Sequence, residues 1–508
     1  MFGKQGAIAL MIGGVFVLAA AGCGAGSGGA SAPPALPAAA GDGSAATLTT
    51  ARLATAQATS TPSGLSVVAY GGLAGATYTA HASGSSYDYA EDVTIDYDRA
   101  LNTASFNAKF SISPTTPYST YFVNYGKRVE ITIRKTPGVS YTLTTAAGVL
   151  AGDGSGTSTA AASTFALTTP ATITIPARLR GPINEPYHYG FLAHLASDSL
   201  GGSNAAKIAS IIGAADAGFV RMDYTGASIM PTSTSVDFTQ EDGIIALLAT
   251  YNVTELPIIE QYSGAAWQNG GQPYPAIFST PQLYAQFVKT VVAHLAATAP
   301  NVKRIELFNE PNTSGWWTSP NPAYAATDGS ATAAYMLAAY AAAKAANPQI
   351  VVVGPALGDG GTETDPRTFL TNMYAAGCHT GACWDVLSVH PYAWLNPTYT
   401  VASSQSNRWQ IYKDLQAIAV AHGDPLPHVM LTEWSFSTAA EPTGFDPKVQ
   451  ALYMALGMNL ALADATVDGI VWTSVYAPGS DFWSRTSVTD ASYNPLPAQN
   501  TYRSFATL

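Results

Sequence analysis

Beyond Pro176 the chain alternates short apolar runs with longer Ala- and Leu-rich stretches, and the alternation recurs eight times. The runs are Tyr187 to Phe191, Phe219 to Asp223, Leu256 to Glu260, Arg304 to Asn309, Ile350 to Gly354, Val386 to His390, Val429 to Glu433 and Gly469 to Ser474. Their length and β-rich content suit buried strands. Between them, Pro281 to Ala297, Ala331 to Ala346 and Lys448 to Ala463 read as helices. Eight strand-then-helix units predict an α/β fold, a (β/α)8 TIM barrel. A doubly wound sheet is the competing arrangement, but no Gly-rich phosphate fingerprint follows the first strand.

From about Thr47 to Thr172 the pattern changes to Thr, Ser, Tyr and Val with a period of two, as in Val93-Thr94-Ile95-Asp96-Tyr97 and Val129-Glu130-Ile131-Thr132-Ile133, interrupted by Pro-Gly and Asp-Gly turns. This predicts a small all-β sandwich. Ahead of it, Gly24 to Ala46 holds almost no large apolar residue and reads as a flexible tether. The expected organisation is a signal segment over residues 1–23, a linker over 24–46, the β-sandwich over 47–175 and the barrel over 176–508.

The N-terminus narrows the compartment. One early cation, Lys4, precedes an apolar run from Ala7 to Ala21 that suits an export signal and is short for a membrane span. Ala20-Ala21-Gly22-Cys23 resembles a bacterial lipobox, with Ala20 where leucine is usual; the resemblance implies lipidation of Cys23 and anchoring to the cell envelope, with simple cleavage into the periplasm or medium as the alternative. The other two cysteines, Cys378 and Cys383, frame Cys-His-Thr-Gly-Ala-Cys, which reads as a local disulfide in an oxidising compartment. A metal site with His379 would leave a structural zinc one ligand short.

Composition excludes some partners. Only 11% of the 508 residues are charged, the formal net charge is −11, and no basic block could follow a phosphate backbone, so nucleic acid is not expected. A neutral or weakly charged substrate fits better.

Two glutamates stand at the tips of apolar runs: Glu310 in Leu307-Phe308-Asn309-Glu310-Pro311-Asn312 and Glu433 in Leu431-Thr432-Glu433-Trp434. A charge at the end of a buried strand is costly unless it opens into a site. Strand counting puts Glu310 after the fourth strand and Glu433 at the end of the seventh, so a barrel brings both to its C-terminal mouth. Two carboxyls in different environments can divide the work of breaking a glycosidic bond, one delivering a proton and the other opposing the developing positive charge. Glu306, four residues before Glu310, is expected as a buried network member below the site, without a catalytic role.

Asn309-Glu310-Pro311, Thr432-Glu433-Trp434 and His390-Pro391-Tyr392, in this order, resemble glycoside hydrolase clan A, the retaining barrel glycosidases. Asn309-Glu310-Pro311-Asn312 is most similar to family 39, with family 5 endoglycanases the nearest competitor. The resemblance implies Glu310 as acid/base, Glu433 as nucleophile, Asn309 on the sugar 2-hydroxyl, Arg221 against the nucleophile, and His390 and Tyr392 in support. It implies Trp472 as a floor under the sugar and requires no cofactor and no metal. Trp316, Trp317 and Trp267, in loops at the expected mouth, are candidate sugar platforms, and Glu260 is a candidate substrate contact. Asp223 is divided between a functional role and a structural ion pair with Arg221.

Within the sandwich, Ile95-Asp96-Tyr97-Asp98-Arg99-Ala100-Leu101-Asn102 and Pro137-Gly138-Val139-Ser140-Tyr141-Thr142-Leu143 resemble bacterial Ig-like domains of surface-layer proteins, which implies a spacer or a surface-binding module. The leading expectation is an exported retaining glycosidase acting on a β-linked oligo- or polysaccharide. A noncatalytic carbohydrate-binding lipoprotein is the reading of another class, and transglycosylation a third.

Overall fold

The computed structural model describes residues 67–72 and 90–507, apart from 124, 170, 180–185, 196–203, 264, 273–275, 314, 360–363, 393–407, 439–443, 477–478 and 480–483. The signal segment with Cys23 and the 24–46 linker lie outside the described residues.

The N-terminal strands form two antiparallel sheets. One has the order β1 (Val67–Gly72), β2 (Ala90–Tyr97), β5 (Arg128–Arg134), β4 (Tyr118–Val123); the other joins β3 (Phe110–Ser113), β6 (Ser140–Thr145) and β7 (Ser163–Thr168). Strands β2 and β5 pair with Ile95 opposite Val129 and Val93 opposite Ile131. The period of two therefore turns Ile95, Tyr97, Val129, Ile131 and Ile133 inward, where they pack with Phe106, Phe110 and Leu143 in a separate core. Arg134, at the end of β5, stacks over the ring of Phe445 at 4.5 Å, a cation–π contact.

The connection that follows is pinned to the barrel by specific bonds. Asn459 receives the Leu179 backbone N–H on Oδ1 at 2.9 Å and donates from Nδ2 to the Ala177 carbonyl at 3.1 Å. Arg178 donates to the carbonyls of Phe505 and Thr507 at 2.7 and 2.9 Å, placing a cation at the C-terminal end of the helix Pro497–Ala506.

Among the described residues, eight parallel strands close into a barrel: β8 (Tyr189–Leu192), β9 (Phe219–Tyr224), β10 (Thr254–Ile259), β11 (Arg304–Leu307), β12 (Val351–Gly358), β13 (Val386–His390), β14 (Val429–Trp434) and β15 (Val467–Thr473), with β15 pairing back to β8. The chain has the TIM-barrel fold. Helices expected from composition occur at Pro281–Thr298, Ser330–Ala346 and Pro447–Ala463. The first and third share a starting device with Pro366–Ala375: an oxygen-bearing cap, Thr280, Asp446 or Asp365, takes a backbone N–H, and Pro occupies the first turn, where its missing N–H costs nothing.

Both faces of each strand are covered, which explains the continuous apolar runs. Leu192, Phe219, Leu256, Ile258, Val353, Val386, Met430 and Val471 fill the barrel interior, while the intervening residues Phe191, Val220, Ile259, Val389, Leu431 and Trp472 face the helices. This in/out parity decides which residues at the strand ends reach the mouth. Cys378 and Cys383 are joined in a disulfide with their Cα atoms 5.4 Å apart.

Near the start of β10, Glu255 is buried and accepts a hydrogen bond from Tyr224 Oη at 2.7 Å. Burial pushes its carboxyl up to about 8, so it is neutral at pH 7. A folded pKa above the unfolded value of about 4.3 contributes stability that is complete below that value and lost as pH rises through about 8. The melting temperature should therefore fall from about pH 4.3 to about pH 8 and level off above. Glu255→Gln, which keeps the acceptor but cannot ionise, should show a smaller fall, measured by thermal unfolding across that range.

Candidate active site at the C-terminal mouth of the barrel

The centre of the mouth is Arg221, fully buried on β9. Its odd-numbered neighbours Phe219 and Asp223 share its inward face. The guanidinium donates in three directions: Nε to Glu306 Oε2 at 2.5 Å, Nη1 to Glu433 Oε1 at 2.5 Å, and Nη2 to Asn309 Oδ1 at 3.0 Å. Burial opposes its charge, but Glu306 and Glu433 outweigh burial and raise its pKa further, so the cation is permanent. Glu306 thus sits in the barrel interior beneath the site as a member of this network.

Glu433 owes its inward direction to an irregularity. Met430 faces the interior and Leu431 the helices, so strict alternation would turn Thr432 in and Glu433 out. Between the pairs Leu431–Ile470 and Trp434–Trp472, β14 has one more residue than β15. That extra residue resets the parity, sending Glu433 into the mouth and Trp434 into the core. Glu433 Oε2 accepts the Tyr392 hydroxyl at 2.6 Å, and the same hydroxyl lies 3.2 Å from Thr473 Oγ1. Burial raises the Glu433 carboxyl, but His390, Arg221 and Tyr392 together bring it below the ordinary glutamate value. Burial and the Glu433 charge push the Tyr392 phenol well up, so it remains a donor.

Glu310 is held differently. The apolar run predicted a strand through Asn309, but β11 ends at Leu307 because Phe308 and Glu310 adopt left-handed backbone with φ of 72° and 45°. Such conformations cost about 1–3 kcal/mol each for non-glycine residues, so the surroundings must enforce them. Gln261 clamps the backbone of Asn309 with two hydrogen bonds, Nε2 to the carbonyl at 2.7 Å and the N–H to Oε1 at 2.9 Å. The Glu310 N–H bonds the Ala356 carbonyl at 3.0 Å. Asn312 makes a matching pair of bonds to Gly358, at 2.8 and 2.9 Å. A Cβ on Gly358 would lie 2.9 Å from the Glu310 carboxyl carbon, so only glycine permits this approach.

His390 joins the two acids. Its Nδ1 lies 2.8 Å from Glu310 Oε1 and 3.7 Å from Glu433 Oε2, and one ligand atom from each of the three residues falls within 4.8 Å of the other two. The spacing would admit a divalent cation, but Arg221 and Tyr392 already occupy the two Glu433 oxygens, and a cation would share that carboxylate with a guanidinium charge. Acid/base work uses the same atoms without that conflict.

The structure brings Glu310, Glu433, Asn309, Arg221, His390 and Tyr392 into one constellation. It treats the tryptophans otherwise. Trp472 is not a floor under the mouth: Gly469, Val471 and Thr473 take the inward parity of β15, so Trp472 points toward the helices, packs on Trp434 with ring centres 4.9 Å apart, and donates Nε1 to the Thr486 carbonyl. Trp317 is also buried, between Phe308 and Tyr335 with its Nε1 on the Tyr324 carbonyl, and offers no platform. Trp267 is half-buried and bonds the Met230 carbonyl. Trp316 stacks on a loop aromatic, Tyr262, at 5.7 Å, and stays partly exposed. Glu260 is buried beside Asp223, and Asp223 contacts His194; the expected Arg221–Asp223 ion pair gives way to Arg221 with Glu306 and Glu433. His194, Gln261, Asn312, Gly358 and Thr473 were not singled out from sequence. Continued alternation from Gly190 and Leu192 would have found His194, and from Val471 would have found Thr473.

No family model matches the chain, and no curated protein matches it. Among solved structures the fold is similar to a family 39 glycoside hydrolase from Bacteroides cellulosilyticus, with a TM-score of 0.50, 17% identity, and coverage of 82% of this chain and 80% of that one. A β-xylosidase from Caulobacter crescentus has a TM-score of 0.46 at 15% identity, covering 64% and 69% of the two chains. Xylanase 10B from Thermotoga petrophila has 0.44 at 15% identity, covering 63% and 94%.

Removing the central cation should be expensive. Arg221→Met leaves Glu306 and Glu433 buried without it and should cost about 3–5 kcal/mol, read by denaturant unfolding. Adding Glu306→Gln should recover part of that loss; no recovery would mean that the two side chains are not energetically coupled.

Proposed function

We propose that the chain is a retaining glycoside hydrolase of the clan A type that cleaves β-linked oligo- or polysaccharides. The observation that carries this reading is the pairing of Glu310 with Glu433: oxygens of the two carboxyls approach within 4.8 Å, on either side of His390 Nδ1. Retaining glycosidases keep their carboxyls about 5–5.5 Å apart, whereas inverting ones leave about 6.5–9.5 Å for a water.

The surroundings divide the labour. Glu433, facing Arg221 and Tyr392, stays ionised and attacks the anomeric carbon as the bond to the leaving oxygen breaks. Glu310, whose neighbours include no arginine or lysine at hydrogen-bond distance among the described residues, delivers its proton to that oxygen. A water then gives its proton back to Glu310 and displaces Glu433 from the sugar. Asn309, oriented by Arg221 and Gln261, is placed beside both carboxyls to bond a sugar hydroxyl, a contact that strengthens as charge develops at the ring. The Asn309-Glu310-Pro311-Asn312 motif supports a family 39-like assignment over family 5, and the barrel fold fits both.

Export with lipidation at Cys23 is part of the proposal and is supported by the sequence of residues 1–23. The two-sheet N-terminal unit is read as an Ig-like spacer or surface-binding module.

Glu433→Ala should abolish turnover of aryl β-glycosides, and azide should restore it as the α-glycosyl azide. Glu310→Ala should keep activity only on substrates with good leaving groups. Sugar binding without turnover across a panel that includes polymers would instead establish a noncatalytic binding protein. Because Glu433 must be ionised to attack and its carboxyl is held below the ordinary range, the acid limb of wild-type activity should lie below about pH 4.3. Tyr392→Phe, which removes a donor to the ionised form, should move that limb upward. Gly358→Ala should displace the Glu310 carboxyl and lower activity by about tenfold or more while leaving the melting temperature within a few degrees, since the group that must move is a side-chain tip.

A further inference from the structure

A second set of polar side chains lines the same mouth and has no task in the bond-breaking step. Asp223 lies two residues beyond Arg221 on β9 and shares its inward face, one layer nearer the opening. The Arg221 side chain is sealed, whereas the Asp223 side chain is 26% exposed. His194, on the inward parity of β8 beyond Leu192, meets Asp223 Oδ2 through Nδ1 and is itself 30% exposed. Glu260, on the inward parity of β10, is buried and hydrogen-bonds Asp223.

Two touching carboxyls cannot both be ionised without strong repulsion, so one keeps a proton. The deeper one keeps it: burial and then the Asp223 charge hold Glu260 well above the usual range. Burial would raise Asp223 as well, but His194 brings it below its ordinary value. Asp223 is therefore an ionised acceptor at the rim, gripped by one neighbour at its side and one beneath, with part of its surface open to the mouth. The charges of Glu433 and Arg221 reach His194, so the set lies in the electrostatic field of the nucleophile. An ionised carboxylate has only acceptor sites. It matches hydroxyl donors and repels another carboxylate.

We propose that Asp223, fixed by His194 and Glu260, is a sugar-recognition residue that accepts hydrogen bonds from hydroxyls of a neutral sugar bound over Glu433 and excludes uronic acids from that position. The inference rests on the glycosidase reading and adds to it the chemical class of sugar.

The test uses the full chain with aryl β-glycosides of neutral sugars and with the corresponding glucuronide. Wild type should favour the neutral substrates. Asp223→Asn should raise KM for them roughly 10- to 100-fold, the loss of one or two bonds to a charged acceptor, with kcat changed by only a few-fold and the melting temperature kept as a control. The same variant should narrow the preference for neutral over uronic substrate. An unchanged KM with an unchanged preference, or a wild type that favours the glucuronide, overturns the proposal. Should Asp223→Asn fail to fold, calorimetric binding of xylose or glucose against glucuronate to Glu433→Ala decides it: tighter binding of the neutral sugar supports the role, and equal or tighter binding of glucuronate rejects it. That measurement needs no turnover, so it separates failure of this inference from failure of the catalytic reading.

Discussion

One buried guanidinium organises the mouth of this barrel. Arg221 ties β11 through Glu306, the following loop through Asn309, and β14 through Glu433. Burying charge is tolerable only when opposite partners are close, and here three acceptors converge on a single planar donor. The arrangement fixes two carboxylates by the same act that neutralises part of their charge. It also creates the asymmetry needed for chemistry, since Glu433 receives Arg221 and Tyr392 while Glu310 receives His390 alone among these three.

The remaining geometry follows from alternation along closed strands. Inward residues of the lower layers are apolar and fill the barrel; inward residues of the last layer are His194, Asp223, Glu260, His390 and Thr473, which carry polar groups into the opening. The polar rim and the apolar core are thus one pattern read at different heights. Glu310 lies outside this scheme. It is positioned by cross-links from Gln261 and by the backbone of β12, with left-handed residues 308 and 310 bending the chain out of strand geometry.

The barrel was legible because eight apolar runs, separated by helix-sized segments, leave few alternatives for burying both strand faces. The constellation around Glu310 and Glu433 was legible through motifs at strand ends. Individual tryptophans were not: Trp472 and Trp317 occupy the expected segments, but their side-chain directions depend on parity and loop packing that no motif encodes. For Trp472 the information was present, since Val471 and Thr473 flank it on the inward face. The Arg221–Glu306 contact and the Gly358 approach to Glu310 are invisible in sequence because each joins residues far apart in the chain, the first across the barrel interior and the second at its mouth.

The one-residue irregularity in β14 carries a consequence for how this site can change. Glu433 and Trp434 are adjacent in sequence and opposite in direction, so running the extra residue into a regular ladder, with Thr432 turned inward, would exchange their environments, placing a carboxylate among Trp409 and Trp472 and an indole in the mouth, whereas deleting that residue would keep both directions. Most insertions and deletions in proteins are absorbed by loops. Here a single residue inside a strand, and not a loop, decides whether a carboxylate or an indole enters the mouth.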